Sequence, residues 1–149
     1  SGDVVAFNTL RLVSGRTYAA NDFTLDANSL VHLAAATFDV VVAGETIEHL
    51  PYPAIFLEEV RRVLVPTGLF LGSVPNAYRL RNWFDVLRGK PFDRDPTHLH
   101  HFSLASLRAL LARQFVVEEI VPVRGKWSHL SPALFAHYFA WWCRRPEGR

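Results

Sequence analysis

Two apolar runs flank an amphipathic span near the middle of the chain. Phe38-Asp39-Val40-Val41-Val42 is β-branched after its opening aromatic and acid, and Leu69-Phe70-Leu71-Gly72-Ser73-Val74 is nearly all apolar. Between them, Tyr52 to Leu64 places apolar residues at three- and four-residue spacing, with Glu58, Glu59, Arg61 and Arg62 on the other face. Strand-length apolar runs separated by such a helix predict a βαβ unit, and hence a mostly parallel sheet with flanking helices. Pro66-Thr67-Gly68 predicts a helix stop and a turn before the second strand. Open α/β sheets of this kind bind ligands at the carboxyl ends of their strands. Gly44-Glu45 and Pro75-Asn76 occupy those ends.

The flanking pattern is shorter in period. Val4–Phe7 and Thr17–Ala20 read as strands, with Asn8 to Ser14 as a turn or one helical turn between them. Asn28 to Ala36 predicts a helix capped by Asn28 or Ser29, and Ala77 to Arg88 an amphipathic helix. Gly89 to His98, with two prolines, a glycine and several charges, predicts a loop. Ser103 to Arg113 predicts a helix with a serine cap and a leucine stripe, and Phe115 to Val123 a strand. The tail, 130–149, carries Leu134, Phe135, Tyr138, Phe139, Trp141 and Trp142. No repeat or low-complexity linker interrupts this order, so 1–149 reads as a single domain.

Composition adds exclusions. Half of the 149 residues are hydrophobic and a fifth are charged, as in an ordinary globular domain with a core. The net charge of +2 is too small to argue for nucleic acid, and the fourteen arginines form no stripe that could track phosphates. Cys143 is the only cysteine, which points to a reducing compartment and a cytoplasmic location. No run of 18 uncharged apolar residues exists, and the first residues lack the layout of a signal peptide. The chain has no methionine and begins Ser1-Gly2-Asp3, so it reads as the later portion of a longer sequence or a trimmed form of one.

Phe38-Asp39, Glu48-His49-Leu50, Pro66-Thr67-Gly68 and Val74-Pro75-Asn76 together resemble the second half of a class I S-adenosylmethionine-dependent methyltransferase. That family writes a strand as F-D-x-V, follows it with E-H-L, ends the next helix in a proline–glycine turn and runs the next strand into proline and asparagine. His98, the helix at 102–111 and the strand at 115–119 are similar to its small-molecule branch, which includes the quinone-precursor O-methyltransferases. The resemblance covers roughly residues 17 to 125. It implies a Rossmann-like α/β fold and S-adenosylmethionine-dependent methyl transfer to a small-molecule acceptor. The family's G-x-G-x-G turn does not occur in these residues. The domain is therefore expected to be N-terminally truncated, with weak or no cofactor binding by this chain alone.

The resemblance also implies roles for individual residues. Asp22 would accept from the adenine amino group, although an Asx turn before Phe23 accounts for it equally. The backbone at Ala43 and Gly44 would meet the methionine portion of the cofactor, where a small residue admits close approach. Glu45-Thr46-Ile47-Glu48-His49 has an E-x-x-E-H spacing that, on a helix, puts Glu45, Glu48 and His49 on one face, where they could hold a divalent cation such as magnesium. His49 serves equally as a residue that supports its loop. His98-Leu99-His100-His101 offers imidazoles that could take a proton from an acceptor hydroxyl, and His98 is the preferred base. On an extended segment His98 and His100 would share a face and His101 oppose them; a zinc reading lacks cysteines. Arg79, Arg81 and Arg88 read as a solvated helix face or as contacts to an acidic or phosphorylated substrate. Arg144 and Arg145 beside Trp141 and Trp142 fit a peripheral membrane helix, and the same aromatic tail could serve as a core element or a homodimer interface.

Two other classes compete with the enzyme. One is a non-catalytic α/β binding or interaction module that has lost the cofactor pocket. The other is a different nucleotide-binding α/β enzyme, disfavoured because neither G-x-G-x-x-G nor a Walker loop is present.

Overall fold

β-branched and aromatic side chains at the predicted strand positions build a six-stranded sheet around β3 and β4. The structure, a computed structural model, describes residues 9–14, 17–21, 33–93 and 95–147. Its strands are β1 (Thr9–Ser14), β2 (Thr17–Asn21), β3 (Phe38–Gly44), β4 (Leu64–Pro75), β5 (Val116–Val123) and β6 (Tyr138–Arg144). The helices are α1 (Pro53–Val63), α2 (Leu80–Leu87), α3 (Leu104–Leu111) and the single turn α4 (Pro132–Phe135). In the sheet the order is β2-β1-β3-β4-β6-β5. β3 and β4 are thus central, adjacent and parallel, as expected, with Val40 beside Leu69 and Gly44 beside Ser73.

The α/β class holds, but the sheet is mixed rather than mostly parallel. β3–β4 is the single parallel pairing among the described residues; β1 runs antiparallel to both β2 and β3, and β6 to both β4 and β5. The reason is local. β1 and β2 are joined by so short a link that they can only fold back on each other, and β6 returns from β5 to insert beside β4. The expected turn or helical turn at 8–14 is strand β1 from Thr9 onward. Val4–Phe7 lies outside the described residues, as does most of the expected helix at 28–36; its last residues, 33–36, are not helical.

α1 starts with Pro53 in its first turn and buries Phe56, Leu57, Val60 and Val63. It passes straight into β4 at Leu64, which already has extended backbone, so no turn separates them. Pro66-Thr67-Gly68 is instead absorbed as an irregularity of β4: Thr67 takes a φ of 64°, and the β3–β4 register shifts between Phe38 and Val40. α3 is capped as expected, Ser103 accepting from the Ser106 N–H, and its buried Leu107 and Leu111 face the core.

The aromatic tail takes the core alternative rather than the membrane-surface one. Tyr138–Arg144 is not a membrane-surface helix but strand β6, with Phe139, Trp141 and Cys143 inward and Trp142 half-exposed. Period-two alternation of large side chains is what a strand needs, and Trp141 finds room because the residue opposite is glycine. A Cβ at Gly72 would overlap both the Trp141 ring and the Ala43 carbonyl. Phe70 lies against Trp141 and Phe115, at centroid distances of 5.8 and 5.2 Å. Val41, Ala43, Phe70, Val74, Phe139 and Trp141 form one core face with α1 and α3. No helix among the described residues is long and apolar enough to cross a membrane.

Candidate functional site

The turn that leaves β3 determines the site. Glu45 follows the strand with φ 48° and donates its backbone N–H to Ser73 O on β4 at 2.9 Å. A single 3-10 turn, Ile47–His49, comes next, with Ile47 and Glu48 buried. The loop at 95–100 locks onto this turn: the N–H groups of Leu99 and His100 both donate to Glu48 O, at 2.8 and 2.9 Å. Two segments fifty residues apart are therefore joined at the carboxyl end of β3.

Side chains converge at that junction. His98 Nδ1 donates to Asp93 Oδ2 at 2.8 Å, so in the neutral ring the lone pair is on Nε2. Asp95 Oδ2 lies 3.7 Å from Nε2, beyond hydrogen-bond range. His101 Nε2 shares Asp93 Oδ2 at 3.2 Å. Thr97 Oγ1 donates to Asp95 Oδ1 at 2.6 Å and accepts from His49 Nδ1 at 3.0 Å. The rings of His49 and His98 meet edge to face at 4.7 Å.

Glu48 is the anomaly of this cluster. It is 1 % exposed, and neither carboxyl oxygen has a hydrogen-bond partner. His49 Nε2 is 4.0 Å from Oε1. Burial pushes the Glu48 carboxyl up to about 8, helped by the nearby charges of Glu45, Asp95 and Asp93 and opposed by its own backbone N–H. It is therefore mostly protonated at neutral pH. Asp93 goes the other way. Burial alone would raise it, but the Asp95 N–H and the His98 and His101 imidazoles outweigh that and hold it below the ordinary carboxylate range.

The expected residues divide clearly. His49 and His98 come together. Glu48, His49 and His98 each offer a ligand atom within 4.8 Å of the others. Glu45 is not in that group, so the triad expected of Glu45, Glu48 and His49 is not formed; the segment is a 3-10 turn preceded by a left-handed residue, not the α-helix its spacing required. The histidine tract also differs from an extended strand. His98 and His101 share Asp93, while His100 Nε2 faces Pro51 O at 3.3 Å. Asp93, Asp95 and Thr97, which orient the imidazoles, were missed; their signal was a pair of aspartates five and three residues before His98. Asn76 is structural, its amide donating to Ala133 O and Ala136 O at 2.9 and 3.0 Å.

On the cofactor side, Ala43 is fully buried with its methyl in the core, so only its backbone could meet a ligand. Gly44 differs. Among the described residues a Cβ there would touch only Ser73 Oγ, at 3.7 Å, and the backbone conformation does not demand glycine. Asp22 lies outside the described residues. β1 begins rather than ends at this rim, Thr9 lying opposite Gly44.

An α/β sheet with a polar crevice at the carboxyl ends of its central strands defines the class. Residues 6–119 match the family described as methyltransferase domain, and the chain belongs to that family. It is 40 % identical over 92 residues to a Mycolicibacterium smegmatis protein named as a probable S-adenosylmethionine-dependent methyltransferase, a match taking in 61 % of this chain and 34 % of that one. A SAM-dependent methyltransferase of Thermotoga maritima is similar in structure, with a TM-score of 0.61 and 18 % identity over 81 % of this chain and 62 % of the other. One from Methanosarcina mazei has a TM-score of 0.59 and 18 % identity, over 83 % of this chain and 66 % of the other. At that identity the likeness is one of fold, and the fold is of the class I type. The chain spans about a third of its curated relative.

The family implies S-adenosylmethionine. The open space at Gly44 fits the close approach of one end of that molecule. The sequence holds no G-x-G-x-G turn.

Proposed function

We propose that this chain supplies the acceptor side and part of the cofactor rim of an S-adenosylmethionine-dependent methyltransferase acting on a small molecule in the cytoplasm. The observation that carries this reading is the Asp93–His98 pair docked on the turn that follows β3. When bound, S-adenosylmethionine supplies an electrophilic methyl group on a sulfonium. The chain's own part is positioning and proton handling. Asp93 fixes His98 with Nδ1–H inward, and Nε2 takes the proton of an acceptor hydroxyl or amine as its nucleophilicity is needed. His49, held by Thr97, keeps its Nε2 toward the neutral Glu48 carboxyl, and the proton taken by His98 is the one net proton that methyl transfer releases. Gly44 leaves the space in which a ligand meets the end of β3. Cys143 takes no part: buried in β6, its thiol is pushed up to about 12 by desolvation.

In the full-length protein, Gly44→Val should weaken cofactor binding at least tenfold by calorimetry while leaving the melting temperature close to wild type, because the added methyls meet ligand rather than protein. His98→Ala should lower turnover at unchanged cofactor affinity. Unaltered affinity in the first variant removes the rim assignment, and unaltered turnover in the second removes the base.

A second reading is favoured by one observation, the unpartnered Glu48 beside two imidazoles. Two histidines and a carboxylate suit a divalent transition metal better than magnesium. Titration with cobalt(II), followed by its visible absorption and repeated on His49→Ala, decides it. No histidine-dependent spectrum would exclude this reading.

A further inference from the structure

Away from the His98 cluster, α2 and the segment 125–137 enclose a groove of about 480 Å³, within the range of small-molecule sites. Its floor is apolar: Phe84 and Trp127 are each half-exposed, and Phe135 lies behind them at 6.3 Å from Trp127. Its rim is cationic. Arg81, Arg88 and Lys126 line it, none of them in an ion pair among the described residues, and no carboxylate is among the residues that line it. The wall is built rather than incidental. Gly125 has φ 108°, and a Cβ there would overlap the Phe135 carbonyl, so the loop bearing Lys126 and Trp127 is seated directly on α4. Burial and the charges of Arg79, Arg124 and Arg81 lower His137, which lines the same groove, as a positive local field requires.

Exposed aromatic surface beside unpaired cations is costly to leave in water and complementary to one kind of small ligand. We propose that this groove binds an anionic amphiphile: an alkyl or aryl body on Phe84, Trp127 and Phe135, with a carboxylate or phosphate head at Arg81, Arg88 and Lys126. Arg79 and His137 also line a smaller pocket that reaches Asn76 and Asp93. The groove and that pocket therefore share a wall. Binding is the whole of the proposal, so it stands or falls separately from methyl transfer.

The probe is monododecyl phosphate below its critical micelle concentration, titrated calorimetrically into the full-length protein. Dodecyl maltoside, inorganic phosphate and phosphatidylglycerol vesicles are the comparators. Monododecyl phosphate should saturate one site at least tenfold more tightly than the maltoside with the same tail, and inorganic phosphate should not bind measurably. The combined Arg81→Ala, Arg88→Ala and Lys126→Ala variant should lose at least tenfold in affinity with its circular dichroism unchanged, since all three side chains are exposed. Phe84→Ala should lose affinity for both amphiphiles. Equal affinity for the neutral and anionic tails, an unaffected triple variant, or no saturable binding would overturn the proposal. Binding to vesicles without saturable binding of the monomer would overturn it as well, in favour of a membrane surface.

Discussion

The Glu48 cluster and the α2 groove handle charge in opposite ways. Glu48 is withdrawn from water with no hydrogen-bond partner, and the fold responds by holding its proton. The groove keeps its cations in solvent and places apolar surface beneath them. In the first, polarity is coupled to folding itself, because a buried carboxyl can ionise only at the expense of the native state. In the second, each charge contributes at most about 1 kcal/mol and is screened by salt. Substitutions should therefore move stability and chemistry in the cluster, and ligand affinity alone in the groove.

The largest test of that contrast is the pH dependence of stability. The Glu48 carboxyl lies at about 8 in the folded chain, against its ordinary 4.5. Between those values the unfolded chain has released a proton that the folded chain keeps. Stability from this group thus falls as pH rises from 4.5 toward 8 and is level on either side. Taken at face value the fall is on the order of 5 kcal/mol, an upper bound. Urea denaturation of wild type and Glu48→Gln at pH 5 and pH 8 should show a steep loss in the first and little in the second. Parallel losses would mean that Glu48 is not the buried acid described.

Next in size is Asp93. Its carboxylate serves His98 and His101 together, so Asp93→Asn should release the tautomer of His98 and lower kcat by about ten- to a hundredfold. KM and cofactor affinity should stay near wild type, because in the proposed function the carboxylate only orients His98. Combined with His98→Ala, the loss should be far from additive. A variant whose KM rises while kcat holds would move Asp93 to the binding surface.

What the sequence revealed follows the same division. The β3–α1–β4 unit was legible because its two nearly continuous apolar runs, and the 3.6-residue period between them, persist for whole elements. The place of Gly44 at the end of β3 and the meeting of His49 with His98 were legible from strand ends and motif spacing. Asp93 was not, since its partner lies five residues on in a loop with no period. Glu45 was misplaced because spacing presumes an α-helix, whereas a left-handed residue and a 3-10 turn break it. The tail's core alternative holds, but its form as strand β6 was not legible, because nothing local reveals that Gly72, sixty-nine residues earlier, clears space for an indole.

The smallest effect separates the two halves of the groove. Raising sodium chloride from 50 to 500 mM shortens the range of electrostatic attraction well below the span of the rim. Affinity for monododecyl phosphate, kept below its critical micelle concentration at each salt, should fall by roughly three- to tenfold. Phe84→Ala should bind more weakly at both salts yet keep the same ratio between them, because its loss is of apolar contact. Arg88→Ala should bind more weakly at low salt and approach wild type at high salt, because its loss is of a screened charge. Those two patterns cannot be produced by one mechanism. If both variants show the same salt ratio, the rim cations are spectators, and the groove is an apolar site with no preference for an anionic head.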